Sequence, residues 1–400
     1  MPKDIVILLD GTSNEIGARR SNILRLYGTL QKLEDQVVYY DPGVGTFGAE
    51  NAWSRTWRKT VEVWGMATGW GLDANVKEAY RFLVENYEID VNGTPDRIHI
   101  FGFSRGAYCA RILAGFLHAF GMMEKRNLNL LDYAYRAYKR IGEDDRKEAF
   151  EELRLHERMM QPHRPVIRFL GLFDTVSSVI ESGKGLPRIR NKAHTARNPS
   201  VQIVRHAVAI DERRTMFRPQ LWPEGQTFEP NRFNKAGEKP QDAREVWFSG
   251  VHGDVGGGYP EAKSALAKLP LAWLIDQARE AGLRFNQKLI DRLVLGADDK
   301  YVKPDPTAKV QDSMSFGWKL LEFVPRSKPS GSRRASLAGF SLPLMEPRHI
   351  PEGARIHRSV VDRIEGLKKP LPNLPASYSV EGEPEGCSTP KPLYGPKVST

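Results

Sequence analysis

The chain has 400 residues, 40% of them hydrophobic and 27% charged, enough for a large core and one α/β catalytic domain of roughly 250–300 residues with an appended region. No apolar stretch approaches the roughly 18–20 residues that span a bilayer, and the only two cysteines, Cys109 and Cys387, lie too far apart for a metal-ligand spacing. The formal net charge of +10 suits an anionic partner without choosing one, and much of the excess, at Arg188, Arg190, Lys192, Arg333, Arg334, Lys368 and Lys369, reads as a solvated basic surface.

The first element predicted is a strand at Asp4–Leu9, a continuous apolar run of the kind buried on both faces of a parallel sheet. It starts almost at the N-terminus and no small-residue cleavage site follows. A signal peptide is therefore not expected, the default location is cytoplasmic, and export through a signal-independent secretion system stays compatible. Ile23, Leu26, Tyr27, Leu30 and Leu33 then repeat at helical spacing, and QVVYY at 36–40 reads as a second strand. A loop rich in Gly and Trp leads to a helix over 72–87. Next comes a strand, RIHIF at 97–101, which runs through Gly102-Phe103-Ser104-Arg105-Gly106 into an apolar helix with small residues at Ala107, Ala110, Ala114 and Gly115. A polar helical stretch at 128–160 precedes another apolar run, Val166–Phe173, ending at Asp174. Residues 177–244 read as an insertion over the sheet edge, with a helical pattern at VQIVRHAVAIDE. EVWFSGV at 245–251 is read as the final strand, delivering His252 into a Gly-rich turn before a helix at 269–281. The expected fold is α/β, an α/β-hydrolase-like, mostly parallel sheet flanked by helices, with helical insertions and a loop-rich C-terminal region. The catalytic domain is assigned to 1–300 with insertions at 128–160 and 177–244, a packed extension to 301–370 and a loose tail to 371–400.

In open α/β sheets ligands gather beyond the carboxyl ends of the strands. The residues found there are Asp10-Gly11-Thr12, Ser104, Asp174 and His252, and the order Ser, Asp, His is the chain order of α/β-hydrolase triads. GFSRG fits G-x-S-x-G, in which glycines relieve the crowding of a sharp strand-to-helix turn. The bland alternative is a serine that only caps the helix. A serine hydroxyl needs a neighbouring base. Of nine histidines, His252 alone combines a strand end with a Gly-rich turn, while His357 is the rival base. Asp174 is the expected orienting acid, with Asp254 or Asp211 as replacements. Oxyanion donors are expected from the backbone N–H of Arg105 and of Gly11 or Thr12. Asp10 reads as a loop anchor in preference to a metal ligand. No metal or other cofactor is expected, because GDVGGGY lacks the G-x-G-x-x-G spacing, no P-loop occurs, and His252-x-Asp254 offers two ligands without a third. Nucleic acid is not expected as a partner.

These segments together, LLDGTSN, YYDPGVGT at 39–46, GLDANV at 71–76, FGFSRGAYCAR at 101–111, GLFDTV at 171–176, WFSGVHGDVGGGY at 247–259 and ARIHRSV at 354–360, resemble the bacterial family that includes type VI secretion lipase effectors, which are α/β hydrolases. The resemblance carries the serine, acid and histidine of that family onto Ser104, Asp174 and His252. It implies phospholipase-like hydrolysis of a lipid carboxylester, and a secretion-system or immunity partner. Trp53, Trp57, Trp64 and Trp70, beside Arg55, Arg58 and Lys59, suit a substrate lid or peripheral membrane contact, or an aromatic lid packed on the core. The function expected is therefore a serine esterase acting on phospholipid or another lipid ester, with activity falling below about pH 6 as the base protonates. The alternatives are a non-catalytic module docking on an anionic partner or membrane, and a hydrolase of a non-lipid ester or thioester.

Overall fold

A computed structural model of the chain describes residues 2–11, 17, 19–43, 70–143, 147–176, 180–181, 188–189, 195–230, 237–324, 326–327 and 340–381. Eight strands make one sheet: β1 (Asp4–Leu9), β2 (Gln36–Asp41), β3 (Arg97–Phe103), β4 (Ile167–Phe173), β5 (Val201–Ala209), β6 (Asp242–Phe248), β7 (Ala354–His357) and β8 (Tyr378–Glu381). Their spatial order is β2-β1-β3-β4-β5-β6-β7-β8, and every pairing is parallel. The chain steps outward from β1 to β2, returns to the other side of β1 with β3, and then adds strands in one direction. The order therefore reverses between β1 and β3, and that reversal opens a crevice at their carboxyl ends, where Gly11 and Ser104 sit.

All six residues of β1 are buried, as its unbroken apolar run requires. Alternate side chains feed two layers. Ile5, Ile7, Leu9, Ile98 and Ile100 pack under α2 (Trp70–Asn86), α3 (Arg105–Ala119) and α4 (Leu131–Glu143), whereas Val6, Leu8, Phe101 and Phe103 pack under α1 (Asn22–Thr29) and α7 (Lys268–Glu280). The polar stretch expected at 128–160 is a 3₁₀ turn, Lys125–Leu130, followed by α4 and α5 (Lys147–Met160).

Three readings of the sequence are corrected. VQIVRHAVA is β5, a central strand, and not a helix. Val201, Val204 and Val208 recur at helical spacing, but a strand covered on both faces has no alternation to betray it, and six consecutive residues from Val204 are buried. β6 begins earlier than expected and is not the last strand. β7 and β8 extend the sheet, so residues 378–381 form its edge where a loose tail from 371 was expected. Strands of four residues carry too few apolar positions for a pattern. Their packing is nevertheless specific: Trp247, Ile350, Ile356, Val360 and Val380 make a third core cluster.

Candidate active site

β3 delivers the serine. Phe103 ends the strand, Arg105 begins α3, and between them Ser104 has φ 57° and ψ −120°, a conformation L-residues adopt only where neighbouring structure enforces it. Both flanking glycines are required by close passage. A Cβ on Gly106 would stand 2.2 Å from the Leu9 carbonyl oxygen, and one on Gly102 2.5 Å from Ala107 Cα. The Ser104 side chain makes no capping bond to α3, so the cap reading is set aside.

β6 delivers the imidazole. His252 opens the short helix α6 (His252–Gly256), and its Nε2 lies 2.8 Å from Ser104 Oγ. Its Nδ1 lies 2.5 Å from Asp174 Oδ2. With the carboxylate accepting the Nδ1–H, Nε2 keeps the lone pair that accepts the serine O–H. Phe103 and Phe217 pack on the ring with centroids 4.7 and 4.9 Å away, and a Cβ on Gly256 would enter the Phe103 ring. The His252 backbone N–H donates to Glu212 Oε2 at 3.1 Å.

Asp174 follows β4 in a left-handed conformation, φ 40°, and is wholly buried. Its Oδ1 accepts from the Ala209 N–H at 3.0 Å and from Arg348 Nη1 at 2.6 Å; its Oδ2 accepts from Arg348 Nη2 at 2.9 Å. Arg348 also donates to the carbonyls of Ala209 and Phe217. Burial alone would raise the Asp174 pKa, but Arg348 and the His252 hydrogen bond outweigh it and hold the carboxyl well below the usual range. Burial lowers His252, and the opposing pull of Asp174 does not fully restore it. One strand over, His206 Nε2 accepts the Thr175 N–H at 3.1 Å while its Nδ1 meets Glu245 Oε2 at 2.9 Å, fixing the turn that holds Asp174.

The other candidates take different places. Asp254 and Asp211 buttress the histidine turn: Asp254 Oδ2 accepts from the Val251 and Gln311 N–H groups, and Asp211 Oδ2 from that of Gly250. His357 stacks on Phe248, accepts the Ser359 N–H at the start of α8 (Arg358–Leu367), and is pushed down to about 4 by burial. Asp10 anchors its loop, accepting from the Ser21 hydroxyl, from Tyr40 at 2.9 Å and from the Gly11 N–H at 2.6 Å. That last bond engages the amide of Gly11, one of the two residues expected as the second oxyanion donor. The Arg105 amide stands at the first position of α3, where helix N–H groups point outward. Thr12, Trp53, Trp57 and Trp64 lie outside the described residues, and Trp70 begins α2. Among the described residues no three His, Cys, Asp or Glu side chains are grouped to hold a metal ion, and no helix is long and apolar enough to cross a membrane.

Arg348, Glu212, Phe217 and His206 were not found from the sequence. Reading β5 as a strand would have put Glu212 beyond its carboxyl end; Arg348, in a short Pro-flanked segment, gives no signal.

Residues 3–277 match the family model of the type VI secretion system phospholipase effector, Tle1-like, catalytic domain. An uncharacterized protein of Saccharomyces cerevisiae, YEL023C, is 32% identical over 228 residues, which are 54% of this chain and 32% of the yeast protein. An uncharacterized Pseudomonas aeruginosa protein of solved structure is similar at 19% identity and TM-score 0.42, over 71% of this chain and 46% of that one. The Tle1 effector bound to the VgrG spike of the type VI secretion system is similar at 22% identity and TM-score 0.30, over 66% and 52% of the two chains. The chain thus spans about a third of the curated relative and about half of the solved ones. On the match over residues 3–277, this chain belongs to the Tle1-like phospholipase effector family.

Proposed function

We propose that the chain is a serine hydrolase that cleaves carboxylic esters of phospholipids or other lipids, with Ser104 as nucleophile, His252 as general base and Asp174 as orienting acid. The observation that carries this reading is the unbroken line of hydrogen bonds from the Ser104 hydroxyl through His252 to Asp174, at 2.8 and 2.5 Å. Ser104 Oγ attacks the ester carbonyl as Nε2 takes its proton, and the imidazolium forms beside the ionised Asp174. The Arg105 amide, at the positive end of α3, donates to the oxyanion. His252 then returns the proton to the departing alcohol, leaving an acyl group on Ser104. A water molecule, deprotonated by the same imidazole, releases the fatty acid.

The family description supports lipid as the substrate class and makes export through a type VI secretion system, with a partner there, part of the proposal. The test is fatty-acid release from phospholipid vesicles by the native chain and by Ser104→Ala. The native chain is expected to release fatty acid, and the variant to lose at least about 10³-fold in rate. Equal release by both would overturn the assignment.

A further inference from the structure

Arg348 lies beyond residues 3–277, the span matched by the catalytic-domain family, yet its guanidinium grips both oxygens of Asp174, including Oδ2, which also meets His252. We infer that Arg348 is a positioning residue of the catalytic centre: it holds the Asp174 carboxylate in line with His252 and shares its charge, so that the C-terminal segment completes the site. This deepens the hydrolase reading and rests on it.

The grip is two-pronged, Nη1 on Oδ1 and Nη2 on Oδ2, a fork-to-fork pairing that fixes orientation as well as position. Asp174 needs such an external hold because its φ of 40° is a conformation it keeps only when its surroundings enforce it. The same guanidinium ties two other parts of the site, donating to the Ala209 carbonyl at the end of β5 and to the carbonyl of Phe217, whose ring packs on His252. The segment presenting Arg348 is itself held under constraint. Leu344 and Met345 have φ 48° and 57°, and their amides donate to the Glu322 carbonyl at 3.2 Å and to the buried Glu322 carboxylate at 3.3 Å. Glu346 pairs with Arg218, and Ile350 is buried in the third core cluster.

The electrostatic consequence follows from the groups around His252. Asp174 faces it from β4, Glu212 and Arg214 from the segment after β5, and Asp254 belongs to its own helix; Glu212 and Arg214 pair with each other at 2.8 Å. An Asp174 carboxylate shared with Arg348 stabilises the imidazolium less than an unshared one. Arg348 therefore keeps His252 neutral, and able to act as a base, to lower pH.

The test titrates His252 by NMR in the full chain labelled at its histidine ring carbons, beside Arg348→Ala and Arg348→Lys, with Ser104-dependent ester hydrolysis followed over pH. In Arg348→Ala the His252 midpoint is expected to rise by about one pH unit or more, with the acid limb of kcat/KM moving alongside. At saturating substrate kcat should fall about 10- to 100-fold with KM little changed, and added guanidinium ion should restore part of it. Should Arg348→Ala fail to fold, Arg348→Lys carries the test. A lysine keeps the cation without the fork, so kcat should fall while the midpoint stays near that of the native chain. An unchanged midpoint in folded Arg348→Ala, or full kcat in Arg348→Lys, overturns the inference. The NMR midpoint needs no substrate. A shifted midpoint without hydrolysis by the native chain would therefore overturn the hydrolase reading alone.

Discussion

His252 is the side chain on which the proposed chemistry turns, and its environment makes a quantitative demand. A general base works only while neutral, and burial places the His252 pKa below its ordinary 6.5. Activity should therefore persist as the pH falls through 6.5 and decline only further down, where the imidazole protonates. A kcat/KM profile of the native chain with a neutral ester checks this: the acid limb is expected to centre below about 6.5, and a midpoint above 7 would contradict it. Asp174 stays ionised across that range because Arg348 and His252 hold its carboxyl low, so it contributes no second limb there. Ser104, Asp174 and His252 were legible in the sequence because each follows an apolar run, at the rim where a parallel sheet gathers ligands. Arg348 was not, since a lone arginine between Pro347 and Ile350 looks like any other surface cation.

At the scale of elements, the strand-to-helix turn around Ser104 is the most constrained feature. Gly106 passes so close to β1 that any Cβ meets both the Leu9 and Asp10 carbonyl oxygens, at 2.2 and 2.4 Å, and neither strand nor helix can yield cheaply. Gly106→Ala should destabilise the chain by about 2 kcal/mol or more and remove activity by displacing Ser104. Thermal melts with parallel rate measurements check this, and a variant matching the native chain on both counts would contradict the fit. The G-x-S-x-G spacing made this turn readable, because steric need at fixed positions leaves glycines in the sequence. β5 escaped recognition for the opposite reason. A strand covered on both faces loses its alternation, and valines at 201, 204 and 208 then imitate one side of a helix. With β5 missing, the Asp211–Phe217 segment, which carries Glu212 and Phe217 to the imidazole, could not be read as a strand end.

Across the whole molecule, one all-parallel sheet with a single reversal explains why three distant stretches of chain converge. Ser104, Asp174 and His252 leave β3, β4 and β6 at the same rim, and β7 and β8 continue the sheet beyond them. The architecture was legible in outline from strands alternating with helices, but its C-terminal edge was not, because β7 and β8 are four residues each. Mass-spectrometric mapping of a fluorophosphonate adduct on the full chain tests directly whether Ser104 is the nucleophile. One modified serine, Ser104, is expected, with labelling abolished by Ser104→Ala and slowed at least about 10³-fold by His252→Ala in folded protein. Labelling elsewhere, or at an undiminished rate without the imidazole, would contradict it.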